Sequence, residues 1–216
     1  MDNDALLTTL AQKAAPGTAA LVVVDVQNDF CATDGYFGKI GADTAFIQRA
    51  IPPLQRLIDG ARAAGVLIVF VQAIYDPADL SAPMRERRQR LKRTLPLCLT
   101  GTWGADFHGV RPRPDEPVVI KHRYSAMMGT GLDALLKRHA IKSLLLTGVA
   151  TDTCVESTAR DAYFMDYYVT LVADCCAAFS GRDHDVALER FDRDYGAVVG
   201  SAELITTWER AGAAAA

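Results

Sequence analysis

Six short runs of apolar residues, many of them β-branched, recur along the chain and are separated by stretches with helical spacing. None of these runs alternates apolar with polar residues, which is typical of strands buried on both faces of a parallel sheet. The runs span residues 20–26, 66–71, 118–120, 143–147, 168–172 and 197–199. The helical stretches span residues 44–64, 131–139, 153–166 and 182–194. The pattern predicts an α/β fold with helices on both faces of a six-stranded parallel sheet.

The length of the chain favours one large domain. Half of its 216 residues are hydrophobic, and we predict a single three-layer domain over residues 1–216 with its core between about 20 and 204. The connection at residues 72–117 is longer than one strand and helix require, so we interpret it as an insertion. It is expected to act as a lid or as an oligomer contact through Trp103 and a basic run. The final GAAAA is expected to be a frayed end.

Charge and cysteine usage exclude several classes of protein. The net charge of −3 argues against a dedicated nucleic-acid binder, and no apolar run reaches membrane-spanning length. The N-terminal segment carries acids where a secretory signal would carry bases. The five cysteines are odd in number, and Cys175 adjoins Cys176, so no disulfide framework is indicated. We expect a reducing, cytoplasmic compartment.

Three residues with side chains that could take part in catalysis lie at or after the carboxyl ends of predicted strands. Asp25 follows LVVV, Lys121 follows VVI, and Cys154 follows SLLLTGVATDT at the start of a predicted helix. Ligands of open parallel sheets bind beyond the carboxyl ends of the strands, so these three side chains are expected to meet at one edge. A thiol in the first turn of a helix faces unpaired N–H groups, and a nearby lysine would lower its pKa further. An aspartate could then move the proton.

Each of the three residues also has a purely structural interpretation. Asp25 could cap the turn after its strand, Lys121 could be a surface lysine, and Cys154 could be a small buried hydrophobe. Their joint occurrence at strand ends favours the chemical interpretation. The basic run at residues 85–93 has a similar ambiguity, because it could be a solvated helix face, a subunit contact or the source of an arginine for an anionic substrate group.

Metal and dinucleotide sites find little support in the sequence. The four histidines are scattered and form no HExxH or His-x-His pair, so no metal is expected. The pattern Gly129-Thr130-Gly131-Leu132-Asp133-Ala134 fits a loose dinucleotide fingerprint and leaves an oxidoreductase as an alternative. However, residues 121–128 separate it from the preceding strand, whereas the fingerprint should form the strand-to-helix turn itself.

Three segments in fixed order resemble a known family. The segments VVVDVQNDF, VVIKHRYSAM and LLLTGVATDTCVESTARDA are similar to those of the isochorismatase-like cysteine hydrolases, over residues 20–204 approximately. The sequences of the second and third segments most resemble those of the branch that cleaves ureidoacrylate, biuret and N-carbamoyl compounds. Nicotinamidases of this superfamily hold a metal with histidines after the second strand, where this chain reads VQAIYDPADL without one.

The resemblance implies a mechanism and a set of site residues. The catalytic triad would be Asp25, Lys121 and Cys154, acting through a cysteine thioester without a cofactor. The resemblance further implies a cis peptide between Val149 and Ala150, and an oxyanion hole formed by the N–H groups of Ala150 and Cys154. Relatives are commonly dimers or tetramers, so a homo-oligomer is expected.

Substrate contacts are expected from residues beside the triad. Polar and aromatic loop residues can supply amide hydrogen bonds and an apolar wall; the candidates are Gln27, Phe30, Tyr124 and Tyr195. The expected activity is cleavage of a C–N bond in a small carbamoyl or ureido compound of the ureidoacrylate, biuret or triuret type. The alternatives are an amidase of another primary amide, such as nicotinamide, and a catalytically inactive binding protein. The intact triad argues against the last of these.

Overall fold

A computed structural model describes residues 6–215 of the chain. Its centre is a sheet of six parallel strands in the spatial order β3-β2-β1-β4-β5-β6, which confirms the predicted fold. The strands are β1 Ala19–Val24, β2 Leu67–Ala73, β3 Val118–Lys121, β4 Ser143–Val149, β5 Tyr168–Ala177 and β6 Ala197–Val199. All six predicted strands are present, and four of them extend past their predicted carboxyl ends.

Helices cover both faces of the sheet. They are α1 Leu10–Lys13, α2 Asn28–Cys31, α3 Tyr36–Lys39, α4 Thr44–Arg49, α5 Ile51–Ala64, α6 Ala82–Arg90, α7 Leu132–Arg138, α8 Glu156–Phe164, α9 Gly181–Asp194 and α10 Ser201–Ala215. A 3-10 turn at Trp103–Ala105 and a π-helical turn at Thr151–Val155 complete them. No helix among residues 6–215 is long and apolar enough to cross a membrane.

Two predictions about helices are wrong. The stretch predicted as one helix over residues 44–64 is two helices, because Pro52 and Pro53 have no N–H to donate to the preceding turn, so α5 begins anew at Ile51. The expected frayed end is also wrong for residues 212–215, which belong to α10. Ala216, like residues 1–5, lies outside the described residues.

The central strands are buried on both sides because each of their faces packs against helices. Leu21 and Val23 of β1 point to the side covered by α5 and α10. Ala20, Val22 and Val24 point to the side covered by α7, α8 and α9. This two-sided burial explains why the strands are continuously apolar in the sequence.

The sheet has a topological switch point between β1 and β4. The chain builds outward from β1 to β2 and β3, and then crosses to β4 on the other side of β1. At the end of this pair the backbones approach closely. Gly148 has a φ of +109°, and a Cβ atom there would lie 2.0 Å from the carbonyl oxygen of Val24, so only glycine fits. A crevice at a switch point is the usual ligand site of such sheets.

The long connection is fastened to the loop after β1. Since β2 continues through Ala73, the connection occupies residues 74–117 and contains α6. The Asn28 side-chain amide donates to the carbonyl of Trp103 at 2.8 Å. The Asp29 carboxylate accepts hydrogen bonds from the backbone N–H groups of Cys98 and Tyr36 at 2.6 and 3.0 Å. The connection is therefore held over the carboxyl end of the sheet.

Candidate active site

The three residues singled out at strand ends meet in space. Asp25 follows β1, Lys121 is the last residue of β3, and Cys154 lies in the π-helical turn after β4. The Lys121 Nζ atom lies 2.7 Å from Oδ2 of Asp25 and donates to Sγ of Cys154 at 3.4 Å. It also donates to the carbonyl oxygen of Arg123 at 2.9 Å. One ammonium group thus bridges a carboxylate and a thiol in the position of the predicted triad.

Burial dominates the electrostatics of this cluster. Asp25 and Lys121 are fully buried and Cys154 is 5% exposed. Burial raises the pKa of the Cys154 thiol to about 12, although the charge of Lys121 acts in the opposite direction. Burial also raises the pKa of Asp25, and Lys121 only partly offsets this. Burial alone would lower the pKa of Lys121, but the charges of Asp25 and Cys154 outweigh it and raise that pKa.

The resting cysteine is therefore a thiol beside an Asp–Lys ion pair. Lys121 acts in the expected direction and lowers the pKa of Cys154, but the cost of desolvating a thiolate exceeds this attraction, so the net shift of the pKa is upward. Lys121 nonetheless lies close enough to stabilise a thiolate once it forms.

A threonine that the sequence analysis missed fixes the nucleophile. The Thr158 hydroxyl donates to the carbonyl oxygen of Cys154 at 2.7 Å and accepts from the N–H of Ala126 at 2.9 Å. It therefore joins the turn that carries Cys154 to the loop that follows Lys121. The spacing of four residues from the cysteine could have predicted this contact, because the hydroxyl of a threonine in a helix can donate to the carbonyl oxygen one turn earlier.

The backbone beside Cys154 has the geometry that the resemblance implies. The peptide bond between Val149 and Ala150 is cis. Among the described residues, the Ala150 N–H donates no hydrogen bond, and Ala150 lines the same cavity as Cys154. The Thr151 hydroxyl pairs with Nδ1 of His184 at 2.9 Å and holds the turn from the other side. This free N–H suits the predicted role in an oxyanion hole.

A cavity of about 270 Å³ opens above the thiol. Its walls combine aromatic rings, apolar side chains from the connection, three arginines and the turn that carries the cysteine. The lining residues are Phe30, Tyr36, Phe37, Tyr75, Leu80, Met84, Arg87, Arg88, Arg93, Leu97, Tyr124, Ala150, Asp152, Thr153, Cys154 and Phe179. The predicted substrate contacts Phe30 and Tyr124 are among them, and the triad thiol forms part of the wall.

Comparison with known proteins identifies the family. Residues 19–203 match the isochorismatase domain. The chain belongs to the isochorismatase family. The ureidoacrylate amidohydrolase RutB of Serratia proteamaculans strain 568 is 34% identical over 173 residues, which cover 74% of this chain and 70% of that protein.

Solved structures of the isochorismatase family share the fold. A cysteine hydrolase from Pseudomonas syringae pv. phaseolicola 1448A superposes with a TM-score of 0.81 at 26% identity, covering 91% of this chain and 94% of that one. The N-carbamoylsarcosine amidase of Thermoplasma acidophilum superposes with a TM-score of 0.70 at 30% identity, covering 85% and 96%. The predictions of the family, of the fold and of an amidohydrolase enzyme are confirmed.

The structure assigns Gln27 a different task from the one predicted. Its side chain is fully buried and does not line the cavity. The amide nitrogen donates to the carbonyl oxygens of Ala73 and Ala105, both at 2.9 Å, and the amide oxygen accepts from the N–H of Ala73 at 2.8 Å. With these bonds made, Gln27 joins β2 to the long connection, and the prediction that it binds substrate is wrong for this family member.

Tyr195 is also wrongly predicted as a substrate contact. It precedes β6, so it lies at the amino edge of the sheet, whereas the triad lies at the carboxyl edge. Its hydroxyl accepts a hydrogen bond from Arg160 at 2.7 Å, and its ring stacks on Phe191. It lines a separate cavity on that side of the molecule.

Two tyrosines that the sequence analysis did not select lie in the cavity wall. Tyr36 and Tyr75 are 2% and 5% exposed, and neither hydroxyl finds a hydrogen-bond partner within residues 6–215. The Tyr75 ring lies 6.0 Å from Nζ of Lys121, which places it beside the triad. A buried hydroxyl without a partner is costly, so both groups are suited to a polar ligand.

Two histidines near the site have structural partners. His108 pairs with Asn28 at 2.9 Å and His122 with the carbonyl of Ile74 at 2.8 Å. Within the described part of the chain, no three His, Cys, Asp or Glu side chains come together in a way that could hold a metal ion. The cysteines other than Cys154 are buried and do not line the cavity.

Proposed function

We propose that this protein is a cysteine-dependent amidohydrolase that cleaves a C–N bond of a small carbamoyl or ureido compound of the ureidoacrylate, biuret or triuret type. The observation that carries the proposal is the thiol of Cys154 in a cavity wall, within hydrogen-bond reach of a lysine that also contacts a buried aspartate. The names of similar proteins support the substrate class, since they include a ureidoacrylate amidohydrolase and an N-carbamoylsarcosine amidase.

In the first chemical step, Asp25 removes the proton of the Cys154 thiol while Lys121 stabilises the sulfur anion. The thiolate attacks the carbonyl carbon of the substrate and forms a tetrahedral intermediate. The N–H groups of Ala150 and Cys154 stabilise its oxyanion, and one such donor contributes about 3 kcal/mol in comparable sites.

In the second step, the intermediate collapses. Protonated Asp25 donates its proton to the departing nitrogen, the C–N bond breaks, and a thioester with Cys154 remains. Asp25 then takes a proton from water as the water oxygen attacks the thioester carbonyl, the C–S bond breaks and releases the acid, and Asp25 returns its proton to the sulfur of Cys154. Lys121 keeps its proton throughout, because its pKa is raised by the two groups that it contacts.

The size of the cavity limits the substrate. A volume of about 270 Å³ corresponds to roughly nine water molecules at about 30 Å³ each, so it suits a compound of about ten non-hydrogen atoms. The aromatic walls suit a planar, conjugated group such as a ureide. The unpaired hydroxyls of Tyr36 and Tyr75 can serve its polar atoms.

The test is a turnover screen. Ammonia release is measured over a panel of ureides and primary amides, with no cofactor added and with Cys154→Ala as the blank. We expect turnover of at least one ureide and, after quenching, an acyl adduct on the Cys154 peptide in the mass spectrum. Ammonia release at the same rate by Cys154→Ala, or no turnover of any ureide while another class of amide is cleaved, would overturn the proposal.

A further inference from the structure

The helix α6, in the connection above the triad, turns a basic face toward the cavity. Met84, Arg87 and Arg88 occupy positions i, i+3 and i+4, which share one side of a helix, and these three residues line the cavity. They are half-buried, whereas the other residues of α6 are exposed. A helix normally presents apolar residues on its inward side, so two arginines there require a reason other than packing.

The inward arginines lack acidic partners. Arg87, Arg88 and Arg93 all line the cavity, and none forms a salt bridge with any of residues 6–215. By contrast, the outward Arg90 pairs with Glu86 at 3.1 Å. Three like charges around one small space repel each other unless an anion joins them.

The individual contacts leave the guanidinium groups available. Arg88 donates to the carbonyl oxygen of Leu95 at 2.7 Å, which ties the end of α6 to the following segment. The Arg87 guanidinium lies 6.0 Å from the centre of the Tyr124 ring. Arg93 makes no side-chain hydrogen bond with the part of the chain that the structure describes. Arg87 and Arg93 thus keep their donors free for a ligand.

The nearby acids do not neutralise this group. Asp152 is the single acidic residue that lines the cavity, and it lies on the wall beside Cys154 rather than on α6. Asp76 is bound to Thr100 at 2.7 Å, and Asp79 lies 3.4 Å from His122. One acid facing three arginines leaves the cavity with an excess of positive charge.

We propose that Arg87 and Arg93 form an anion subsite that selects substrates carrying a carboxylate at the end remote from the scissile carbonyl. The inference deepens the proposed function and rests on it for the bond that is cleaved. An ω-ureido carboxylic acid would place its carbamoyl carbon at Cys154 and its carboxylate against the two guanidinium groups, with charge-assisted hydrogen bonds to both. Neutral ureides would leave the arginines unpaired.

The test uses alkylating probes, so that it does not depend on turnover. N-iodoacetyl derivatives of glycine, β-alanine and 4-aminobutanoate carry a carboxylate at three distances from the reactive carbon, and the corresponding amides are neutral analogues of the same shape. The rate of alkylation is measured on the Cys154 peptide by mass spectrometry. We expect the carboxylate to react at least tenfold faster than its amide at one of the three lengths, with a preference that falls as salt is added.

Variants locate the subsite. The Arg87→Gln/Arg93→Gln pair should reduce the preference for the carboxylate, measured as the ratio of its alkylation rate to that of the matching neutral amide, to below twofold. Arg90→Gln, on the outward face of the same helix, is the matched control and should retain the full preference. A wild-type preference below twofold at all three lengths, or an equal loss in Arg90→Gln, would overturn the subsite.

The failure of this inference can be told from the failure of the proposed function. If the probes discriminate but no ureide is cleaved, the subsite stands and the reaction is misassigned. If ureides are cleaved, 3-ureidopropionate should have a kcat/KM at least tenfold above that of propylurea. Equal values for the two compounds would reject the subsite and leave the amidohydrolase.

Discussion

Replacing Lys121 with methionine tests how much the stability of the Cys154 thiolate depends on the charge of one lysine. The ammonium nitrogen lies 3.4 Å from the sulfur, and at an effective dielectric constant of about 20 this gives an attraction of about 5 kcal/mol for the thiolate. One pKa unit corresponds to about 1.4 kcal/mol, so the loss amounts to roughly three to four units. Because burial already raises the pKa of Cys154 to about 12, the remaining cation matters greatly.

We expect Lys121→Met to alkylate at Cys154 about a thousandfold more slowly than the wild type at pH 8, and to lose turnover by at least as much. The assay is the time course of iodoacetamide labelling of the Cys154 peptide between pH 6 and 9. Lys121→Arg keeps the charge and should retain part of the reactivity. Lys137→Met, at an exposed lysine paired with Asp133, is the control for the loss of a lysine in general.

The stability of the same variant should depend on pH in a defined direction. Burial raises the pKa of Asp25 in the wild type, and removing Lys121 raises it further. The folded variant then holds a proton that the unfolded chain releases, so its free energy of unfolding falls as the pH rises from the ordinary aspartate pKa through the raised one. Urea denaturation at pH 5 and pH 8 measures this.

Two results would refute the reasoning about Lys121. The first is an alkylation profile of Lys121→Met within tenfold of the wild type at every pH. The second is a variant that is more stable, relative to the wild type, at pH 8 than at pH 5. Either would mean that the lysine does not control the charge of the buried cluster.

The further predictions concern four other residues and the oligomeric state. Cys154→Ser should fold and bind substrate yet lose at least a thousandfold in kcat, because its hydroxyl is a far weaker acid; near-normal activity in an ammonia assay would rule out covalent catalysis. Gln27→Ala should lower the free energy of unfolding by about 2–4 kcal/mol, since it removes the side-chain partner of the buried N–H and carbonyl of Ala73, whereas the Ala105 carbonyl keeps its bond from Gln72. Tyr124→Ala should raise KM at an unchanged Tm; the reverse outcome would restore Gln27 as a substrate contact. Tyr195→Phe should leave kcat/KM unaltered, because it loses only the bond to Arg160; a tenfold change would contradict its placement at the amino edge. Light scattering should give a multiple of 23.4 kDa at micromolar concentration, and a monomeric mass would reject the predicted homo-oligomer.

The positions of the catalytic candidates could be predicted because they depend on topology alone. Parallel strands end at the same edge of a sheet, so the polar residues after β1, β3 and β4 had to lie near one another. Tyr195 could have been excluded by the same rule. It precedes β6, and the direction of the strand alone excludes it from the triad edge.

Other features could not be predicted, because they depend on which way a loop side chain turns. Gln27 and Phe30 are three residues apart after β1, yet one is enclosed by backbone groups and the other lines the cavity. The degree of burial of Cys154 could not be predicted from the sequence either. A strand end and a helix start indicated a stabilised thiolate, but the desolvation that reverses the net shift of the pKa depends on how deeply the folded chain buries the thiol.

The protonated resting thiol has a consequence for how the site works. Transfer of the proton from Cys154 to Asp25 moves a negative charge from carboxylate to sulfur without changing the total charge of the cluster. Lys121 contacts both groups, at 2.7 and 3.4 Å, so it stabilises the anion before and after the transfer. A charge that only shifts between two neighbours of one cation avoids the cost of bringing a new ion into the protein interior. In the proposed mechanism the nucleophile therefore forms when a substrate carbonyl is present to react with it, and we expect the free protein to keep a thiol that alkylating agents and oxidants attack slowly.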